Sequence, residues 1–188
     1  MKNKKCIIKI LRVIVFLFVF IAAIQYFKDL FMKNYMYPKK YGVFVEKYAA
    51  EYELDENFVY AVIKCESNFD TMAKSSKNAR GLMQISEKTG VWAAEEIGLE
   101  NYDSQKLFDA ETNIHIGCWY LKKLINQFGD IYTAAAAYNA GSGNVSLWLK
   151  DEHYSGDGKT LSHIPFRETT VYVKKIENAI NGYNYLYE

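Results

Sequence analysis

Residues 55–69 read DENFVYAVIKCESNF, and this stretch contains the pattern that decides the fold class. Asp55 is a residue type that caps helix N-termini, because its carboxylate accepts hydrogen bonds from the first free backbone N–H groups. The apolar residues after it recur at the 3.6-residue spacing of one buried helix face: Phe58, Val59, Val62 and Ile63. The stretch therefore predicts a buried helix that ends in polar residues.

The same helical period continues on both sides of this stretch. Predicted helices cover residues 43–52, 86–97, 109–128, 131–140 and 166–181. The helix that Asp109 opens is predicted to be the longest. Four segments are followed by a glycine that is expected to end the helix: Gly98, Gly129, Gly141 and Gly182. Since no segment shows the alternation of a β-strand, we predict an all-α domain.

The N-terminus is a candidate membrane anchor. Residues 7–27 form an apolar stretch of 21 residues, long enough to span a hydrocarbon core of ~30 Å as a helix. Five basic residues precede or begin it: Lys2, Lys4, Lys5, Lys9 and Arg12. This flank predicts a cytoplasmic N-terminus and export of the rest of the chain. A cleaved signal peptide is the alternative, but the isoleucines on both sides of Ala22-Ala23 make a poor cleavage site, which favours a retained signal anchor.

Charge separates the N-terminus from the rest of the chain. The 188 residues carry a net charge of +1, from 23 Lys and Arg and 22 Asp and Glu. Nine bases and one acid lie within residues 1–40, which leaves 14 bases and 21 acids, a net of −7, for the remainder. We expect no nucleic-acid partner, because affinity for phosphate comes mainly from Lys and Arg. We divide the chain into a basic flank and signal anchor (1–27), a juxtamembrane stalk (28–42) and an exported domain (43–188).

The cysteines indicate neither a metal site nor a disulfide framework. Cys6 falls in the basic flank, whereas Cys65 and Cys118 lie inside apolar helical patterns and are predicted to be buried free thiols. Apolar neighbours are expected to raise the pKa of the Cys65 thiol and make it inert. His115 and Cys118 are three apart on one helix, but no second pair has zinc-like spacing, so we predict no metal site.

Glu66 is the sharpest candidate for chemistry. It follows Val62 and Ile63 on the predicted helix and precedes Phe69, and its carboxyl would be half-buried if these side chains surround it. Burial raises the pKa of a carboxyl, which suits a general acid near neutral pH. When the residue is taken alone, a surface glutamate at a helix C-terminus is the better explanation.

Two segments further along carry hydrogen-bonding groups. In residues 80–85, RGLMQI, the glycine allows close backbone approach and Gln84 offers both a donor and an acceptor. In residues 137–141, AYNAG, Tyr138 and Asn139 place polar groups at the end of a helix. A loop that enters a helix and a glycine-capped helix end are the structural alternatives.

The last segment of interest starts the final helix. Residues 164–172 read IPFRETTVY, and Glu168 and Tyr172 are four apart, so they share one helix face. A structural ion pair or a core tyrosine would explain them equally well.

The order and combination of these motifs resemble a known family. Glu66-Ser67 is followed 15 residues after Glu66 by Gly-Leu-Met-Gln, then by Ala-Tyr-Asn-Ala-Gly and by Ile-Pro-Phe-x-Glu-Thr-x-x-Tyr-Val. This pattern, over residues 43–182, resembles the lytic transglycosylase domain of the soluble lytic murein transglycosylases. The resemblance implies a lysozyme-like, mainly α-helical fold with a groove for a peptidoglycan strand.

The resemblance also implies roles for individual residues. Glu66 corresponds to the family's single catalytic acid/base. Ser67 and Gln84 would bind or orient the sugar beside it. Tyr138 would position Glu66 or the substrate, and Asn139 would line the site.

Two further roles and three departures follow from the same resemblance. Glu168 and Tyr172 fall where the family has a subsite acid and an active-site tyrosine. Asn78 stands where a glycine is usual, and asparagine tolerates positive φ best among other residues. Ser86 replaces a methionine, which removes an expected apolar contact, and Thr170 replaces an arginine.

The implied activity is that of a peptidoglycan lytic transglycosylase. It would cleave the β-1,4 bond between N-acetylmuramic acid and N-acetylglucosamine and leave a 1,6-anhydro end, with no metal or cofactor. The alternatives are a hydrolytic muramidase, a non-catalytic peptidoglycan-binding module and a membrane-anchored structural protein. Expected partners are glycan strands and, through the N-terminal helix, the membrane; an envelope-spanning assembly is a further candidate. The predicted location is the cell membrane, with a single span and the catalytic domain outside the cytoplasm.

Overall fold

A computed structural model describes the backbone of residues 2–188 and the side chains from residue 9 onward. Met1 and the side chains of residues 2–8 lie outside the described residues, and with them Cys6 and the first lysines of the predicted basic flank. The chain divides into two compact units, Met1–Pro38 and Lys39–Glu188.

The first unit is a long apolar helix. Helix α1 runs over Lys2–Phe31 and is followed by a π-helical turn at Met32–Met36. The stretch Lys9–Met36 has 28 residues, contains an 18-residue window with a mean hydropathy of 2.4, and is long and apolar enough to cross a membrane. The helix predicted over 7–27 is therefore present, and it extends into the segment predicted as a stalk.

The second unit is built from seven α-helices: α2 (Gly42–Glu51), α3 (Glu56–Ser67), α4 (Glu87–Glu96), α5 (Ala110–Phe128), α6 (Ile131–Ala140), α7 (Ser142–Trp148) and α8 (Arg167–Tyr187). A short 3₁₀ helix covers Ser104–Phe108. Within the described residues, strand-like pairing is confined to isolated bridges of Arg80 with Lys74 and with Ile85. The predicted all-α class is confirmed.

Side-chain caps begin the predicted helices where the sequence indicates. Asp55 accepts a hydrogen bond from the backbone N–H of Phe58 at 2.8 Å. Three further helices begin in the same way, at Ser86, Asp109 and Asp130. Each such cap contributes about 0.5–2 kcal/mol. Gly129, with φ 73°, ends α5 in the left-handed conformation that glycine adopts without strain.

Helix α3 lies at the centre of the domain and fixes the position of Glu66. Residues 57–63 are all buried, and the helix packs against α2 and α8, while α8 also packs against α6. Each large apolar side chain buried in this way contributes roughly 1.5–3 kcal/mol. The buried turns of α3 therefore hold its last turn firmly beside α8.

Helix α8 differs from its prediction at the C-terminus. It continues through Gly182 to Tyr187, and its 21 residues exceed the 19 of α5. The predictions that Gly182 ends it and that the helix after Asp109 is the longest are wrong. Tyr183 and Leu186 are buried, and this burial outweighs the cost of about 1 kcal/mol that an internal glycine adds. Helix α7 has no counterpart in the sequence prediction.

Candidate active site

Glu66 lies in the last turn of α3 and lines a cavity of about 450 Å³. Burial raises the pKa of its carboxyl from 4.5 to about 7, and the neighbouring Tyr172 hydroxyl opposes part of that rise. A large fraction of this carboxyl is therefore protonated near neutral pH. Such a group can donate a proton and, once ionised, accept one.

The backbone reverses immediately after this turn. Asn68 and Phe69 have φ values of 49° and 67°. A positive φ costs a residue such as phenylalanine roughly 1–3 kcal/mol. The ring of Phe69 is buried and lies 6.5 Å from that of Tyr60, between ring centroids. Burial of this ring offsets the strain of the positive φ. The backbone can therefore reverse at Asn68 and Phe69, and α3 ends within two residues of Glu66.

Ser67 fastens the end of α3 to the Gly-Leu-Met-Gln segment. Its hydroxyl donates to the carbonyl oxygen of Leu82 at 2.7 Å and lies 3.2 Å from that of Ile63. Ser67 is not among the residues that line the cavity of Glu66. These contacts indicate a positioning role, and direct sugar binding by Ser67 stays a prediction.

The Gly-Leu-Met-Gln segment is clamped by a buried side chain from α5. Gly81 has φ 74°, and a Cβ there would collide with the carbonyl oxygen of Leu107 and with Asn113. Asn113 accepts a hydrogen bond from the N–H of Met83 at 2.7 Å. It also donates to the carbonyls of Arg80 and Leu107, at 2.9 and 2.7 Å. The sequence alone does not reveal Asn113, because a single asparagine inside an apolar helix carries no distinctive signal.

Gln84 presents one polar atom toward open space. Its backbone has φ 49°, and its side-chain Nε2 donates to the carbonyls of Ala73 and Gly81 at 3.1 and 3.0 Å. Among the described residues, none donates a hydrogen bond to the side-chain oxygen. Gln84 lines a second cavity of about 260 Å³, so this oxygen is available as an acceptor for a substrate N–H or O–H.

Tyr138 lines the second cavity, and its neighbour Asn139 lines both cavities. The hydroxyl of Tyr138 donates to the carbonyl of Met83 at 2.7 Å, and burial together with the nearby Glu66 raises the pKa of this phenol well above its usual value. Asn139 accepts a hydrogen bond from the Thr169 hydroxyl at 2.8 Å, which joins α6 to α8. Asn139 lines both cavities, so they adjoin at this residue.

One face of α8 forms the opposite wall of the first cavity. Glu168 and Tyr172 both line it, as their spacing predicts. The Tyr172 hydroxyl is buried and lies near enough to the Glu66 carboxyl to lower its pKa, but it makes no hydrogen bond of standard geometry among the described residues. Arg167 and Lys175 line the same cavity, although no sequence motif marks them. Arg167 is four residues before Val171 and Lys175 is three after Tyr172, and these spacings place both on this face.

An aromatic run leads away from Tyr138 along the second cavity. Tyr138 and Tyr120 have ring centroids 5.4 Å apart, and Tyr120 lies 6.3 Å from Trp92. Trp92 in turn packs edge-on against Trp119 at 4.7 Å. Trp92 is 43% exposed, so part of this aromatic surface is open to a ligand. The sequence alone does not distinguish these exposed aromatic side chains from those buried in the core.

The three departures from the family pattern have local explanations. Asn78 adopts φ 62°, which its residue type tolerates. Ser86 caps α4 and lines the second cavity, so a hydroxyl lies where an apolar contact was expected. The Thr170 hydroxyl is 3.2 Å from the carbonyls of Ile164 and Phe166, at the start of α8.

Other reactive groups near Glu66 are few. Asp70 is exposed and accepts a hydrogen bond from the N–H of Met72, and Glu87 is exposed and lies 3.5 Å from Arg80. Neither lines the cavity of Glu66, where the other carboxyl is that of Glu168. Cys65 also lines it as a free thiol, and burial raises the pKa of this thiol to about 11, which leaves it protonated and unreactive.

Comparison with known proteins gives consistent matches. The Transglycosylase SLT domain family matches residues 44–160. The soluble lytic murein transglycosylase of Escherichia coli (strain K12) is 35% identical over 144 residues, which cover 74% of this chain and 22% of the relative. Membrane-bound lytic murein transglycosylase C of Photorhabdus laumondii is 30% identical over 173 residues, which cover 78% of this chain and 47% of the relative.

Solved structures agree with the sequence matches. The 70 kDa soluble lytic transglycosylase of Escherichia coli superposes with a TM-score of 0.72 at 34% identity, over 79% of this chain and 25% of that one. An inactive Glu-to-Gln mutant of lytic transglycosylase Slt from Pseudomonas aeruginosa gives a TM-score of 0.70 at 31% identity, over 80% of this chain and 25% of that one. The chain thus spans about a quarter of the length of these soluble proteins, and the predicted lysozyme-like transglycosylase fold is confirmed.

Proposed function

Because the chain belongs to the Transglycosylase SLT domain family, we propose that its residues 43–188 cleave peptidoglycan strands by lytic transglycosylation. The observation that carries this proposal is the half-buried carboxyl of Glu66, whose pKa is raised to about 7. It lines a cavity in a domain whose fold is that of lytic transglycosylases.

One carboxyl suffices for both halves of the reaction. The protonated Glu66 donates its proton to the oxygen of the β-1,4 bond between N-acetylmuramic acid and N-acetylglucosamine, and the C1–O bond breaks with its electrons on the leaving oxygen. Positive charge develops on the muramyl ring. The ionised Glu66 then accepts the proton of the muramyl C6 hydroxyl, whose oxygen bonds to C1 and closes the 1,6-anhydro ring. Glu66 is protonated again at the end, and no water is consumed.

Hydrolysis by a muramidase is the second candidate. Glycoside hydrolases of the usual kinds need two carboxyl groups, one as the acid and one as base or nucleophile. Glu168 shares the cavity with Glu66, but it is exposed on the surface of α8. Asp70 and Glu87 lie outside that cavity. The surroundings of Glu66 therefore favour transglycosylation.

The polar groups around Glu66 support binding and orientation of the sugar. Tyr172 presents a buried hydroxyl that makes no hydrogen bond of standard geometry among the described residues. A substrate oxygen or the ionised Glu66 would satisfy it, because an unpaired buried polar group is costly. The oxygen of Gln84 would accept a hydrogen bond from a sugar amide or hydroxyl. Tyr138 and Asn139, fixed by Met83 and by α8, would hold the two cavities together as one groove.

Helix α1 supports a membrane-bound location for this activity. Relatives named membrane-bound lytic murein transglycosylases match the chain, and α1 is long and apolar enough to span a bilayer. With the basic flank inside, the catalytic domain would lie outside the cytoplasm. A tether raises the local concentration of the enzyme at nearby wall and limits its reach. We therefore propose that the enzyme remodels the wall locally, for example to make room for an envelope-spanning assembly.

Product analysis tests the proposal. The full chain, purified in detergent, is incubated with peptidoglycan, and the released muropeptides are analysed by mass spectrometry before and after borohydride reduction. We expect products that lack one water and resist reduction. Glu66→Gln should release none, whereas the matched variant Glu87→Gln, an exposed carboxyl outside the cavity of Glu66, should behave as the parent. Reducible muramyl ends, or cleavage by Glu66→Gln, would contradict the proposal.

A further inference from the structure

Two basic side chains line the cavity of Glu66, and the transglycosylation steps use neither. Arg167 begins α8 and Lys175 follows two turns later, about 12 Å along the helix axis at 1.5 Å per residue. With Glu168, Val171 and Tyr172 they recur at the spacing of a single helix face. Lys175 lies close enough to Cys65, the neighbour of Glu66, to influence its thiol electrostatically.

Both cations are available to a ligand. Each is exposed, and within the described part of the chain neither has a carboxylate within 4.0 Å. Some other lysines of the domain are paired, for example Lys47 with Glu111 at 2.8 Å, Lys122 with Glu53 at 2.9 Å, and Lys174 with Glu177 at 3.5 Å. Lys174 is the immediate neighbour of Lys175, yet it is not among the residues that line the cavity.

The balance of charge inside the cavity differs from that of the domain. Residues 41–188 carry a net charge of −7, whereas the cavity places two cations beside Glu168 and Glu66. An isolated positive wall in an acidic domain attracts an anionic group of the substrate. Arginine and lysine bind carboxylates through charge-assisted hydrogen bonds, about twice as strong as neutral ones.

The proposed substrate carries such groups near the cleaved bond. Every muramyl residue has a lactyl carboxyl, which is either free or linked to a stem peptide that has carboxylates of its own. We propose that Arg167 and Lys175 form an anion subsite that binds a carboxylate of the muramyl residue next to the bond that Glu66 cleaves. This inference rests on the proposed function and adds a substrate preference to it.

Matched glycans test the subsite. Soluble peptidoglycan oligosaccharides are prepared with intact stem peptides, and after amidase treatment that leaves the lactyl carboxylate free. A portion of each is then converted to neutral methylamides. Dissociation constants are measured by calorimetry for the full chain in detergent carrying Glu66→Gln, so that no turnover is needed. KM is measured for the active chain from release of anhydro products.

We expect one or both carboxylate forms to bind about five- to tenfold more tightly than the matched neutral form. Whichever form shows the preference, free lactyl or stem carboxylate, identifies the source. Lys175→Gln and Arg167→Gln should each bring the ratio of the two dissociation constants, neutral form over charged form, closer to one. Lys175→Arg should restore the ratio of the parent chain. Lys174→Gln, the neighbouring paired lysine, should leave the preference as it is.

Equal binding of the charged and neutral forms by the parent chain would overturn the subsite, as would equal effects of Lys174→Gln and Lys175→Gln. Failure of the proposed function would look different: no glycan would yield an anhydro product, while the binding preference would remain. The two outcomes are therefore distinguishable in a single set of samples.

Discussion

Replacing Glu66 by glutamine should make the protein more stable at alkaline pH and leave its stability unchanged in acid. Burial raises the pKa of Glu66 from 4.5 to about 7 in the folded chain. Below pH 4.5 the carboxyl is protonated in both the folded and the unfolded chain, so it adds no pH dependence. Between pH 4.5 and 7 the unfolded chain loses this proton first, so the free energy of unfolding falls as pH rises.

The difference between the two pKa values sets the magnitude. Each pH unit corresponds to 1.36 kcal/mol, so the ionised Glu66 costs the folded state about 3 kcal/mol above pH 7. Glutamine is neutral and of nearly the same shape, so Glu66→Gln removes this cost. For a domain of this size the gain corresponds to a melting temperature roughly 6–12 °C higher at pH 8.

The assay is thermal unfolding of the full chain in detergent, followed by near-UV circular dichroism at pH 4 and pH 8. The exposed carboxyl of the same cavity provides the control variant, Glu168→Gln, for which we expect no comparable difference between the two pH values. The raised pKa of Glu66 is contradicted if Glu66→Gln is no more stable than the parent at pH 8. It is also contradicted if the melting temperature rises equally at pH 4 and pH 8.

Three further predictions concern the same domain. The value of kcat/KM should fall as pH rises through about 7, because the free enzyme must hold a protonated Glu66. The variant Tyr172→Phe should shift this fall to higher pH, because the Tyr172 hydroxyl lowers the pKa of Glu66. A pH–rate profile of both chains checks the direction. Asn113→Ala should reduce the free energy of unfolding by about 2–4 kcal/mol in denaturant titrations, because loss of its three hydrogen bonds leaves buried partner groups unpaired. The control variant Asn144→Ala, at an exposed position, should reduce it by less than about 0.5 kcal/mol. Deletion of residues 1–36 should give a soluble chain that still cleaves peptidoglycan, and sedimentation with vesicles should show that only the full chain binds membranes; a truncated chain that sediments with vesicles would contradict this.

The helices were predictable because their signals are local. Asp55, Asp109 and Asp130 act as caps within three residues of the N–H groups they bind. The half-burial of Glu66 was one of two interpretations of its local sequence, and the local sequence alone favoured the other, a surface glutamate. Tertiary contacts explain the two wrong predictions. Helix α8 continues through Gly182 because Tyr183 and Leu186 are buried, and this extension makes it longer than α5.

The candidate site was only partly predictable, because it depends on distant segments. The resemblance supplied Glu168 and Tyr172, but the closeness of the Tyr172 hydroxyl to Glu66 follows from the packing of α8 on α3. The clamp by Asn113 joins residues 30 positions apart in the chain. Arg167 and Lys175 became notable only when the cavity showed which side of α8 faces Glu66.

The measurement that tests the central claim most directly is cleavage of peptidoglycan in water enriched in ¹⁸O. In the proposed reaction the muramyl C6 oxygen attacks C1, and no oxygen from water enters the product. We therefore predict muramyl ends without ¹⁸O, at the mass of the anhydro form. Muramyl ends that carry one ¹⁸O at C1 would show that water is the nucleophile, and would contradict the account in which Glu66 alone performs both proton transfers.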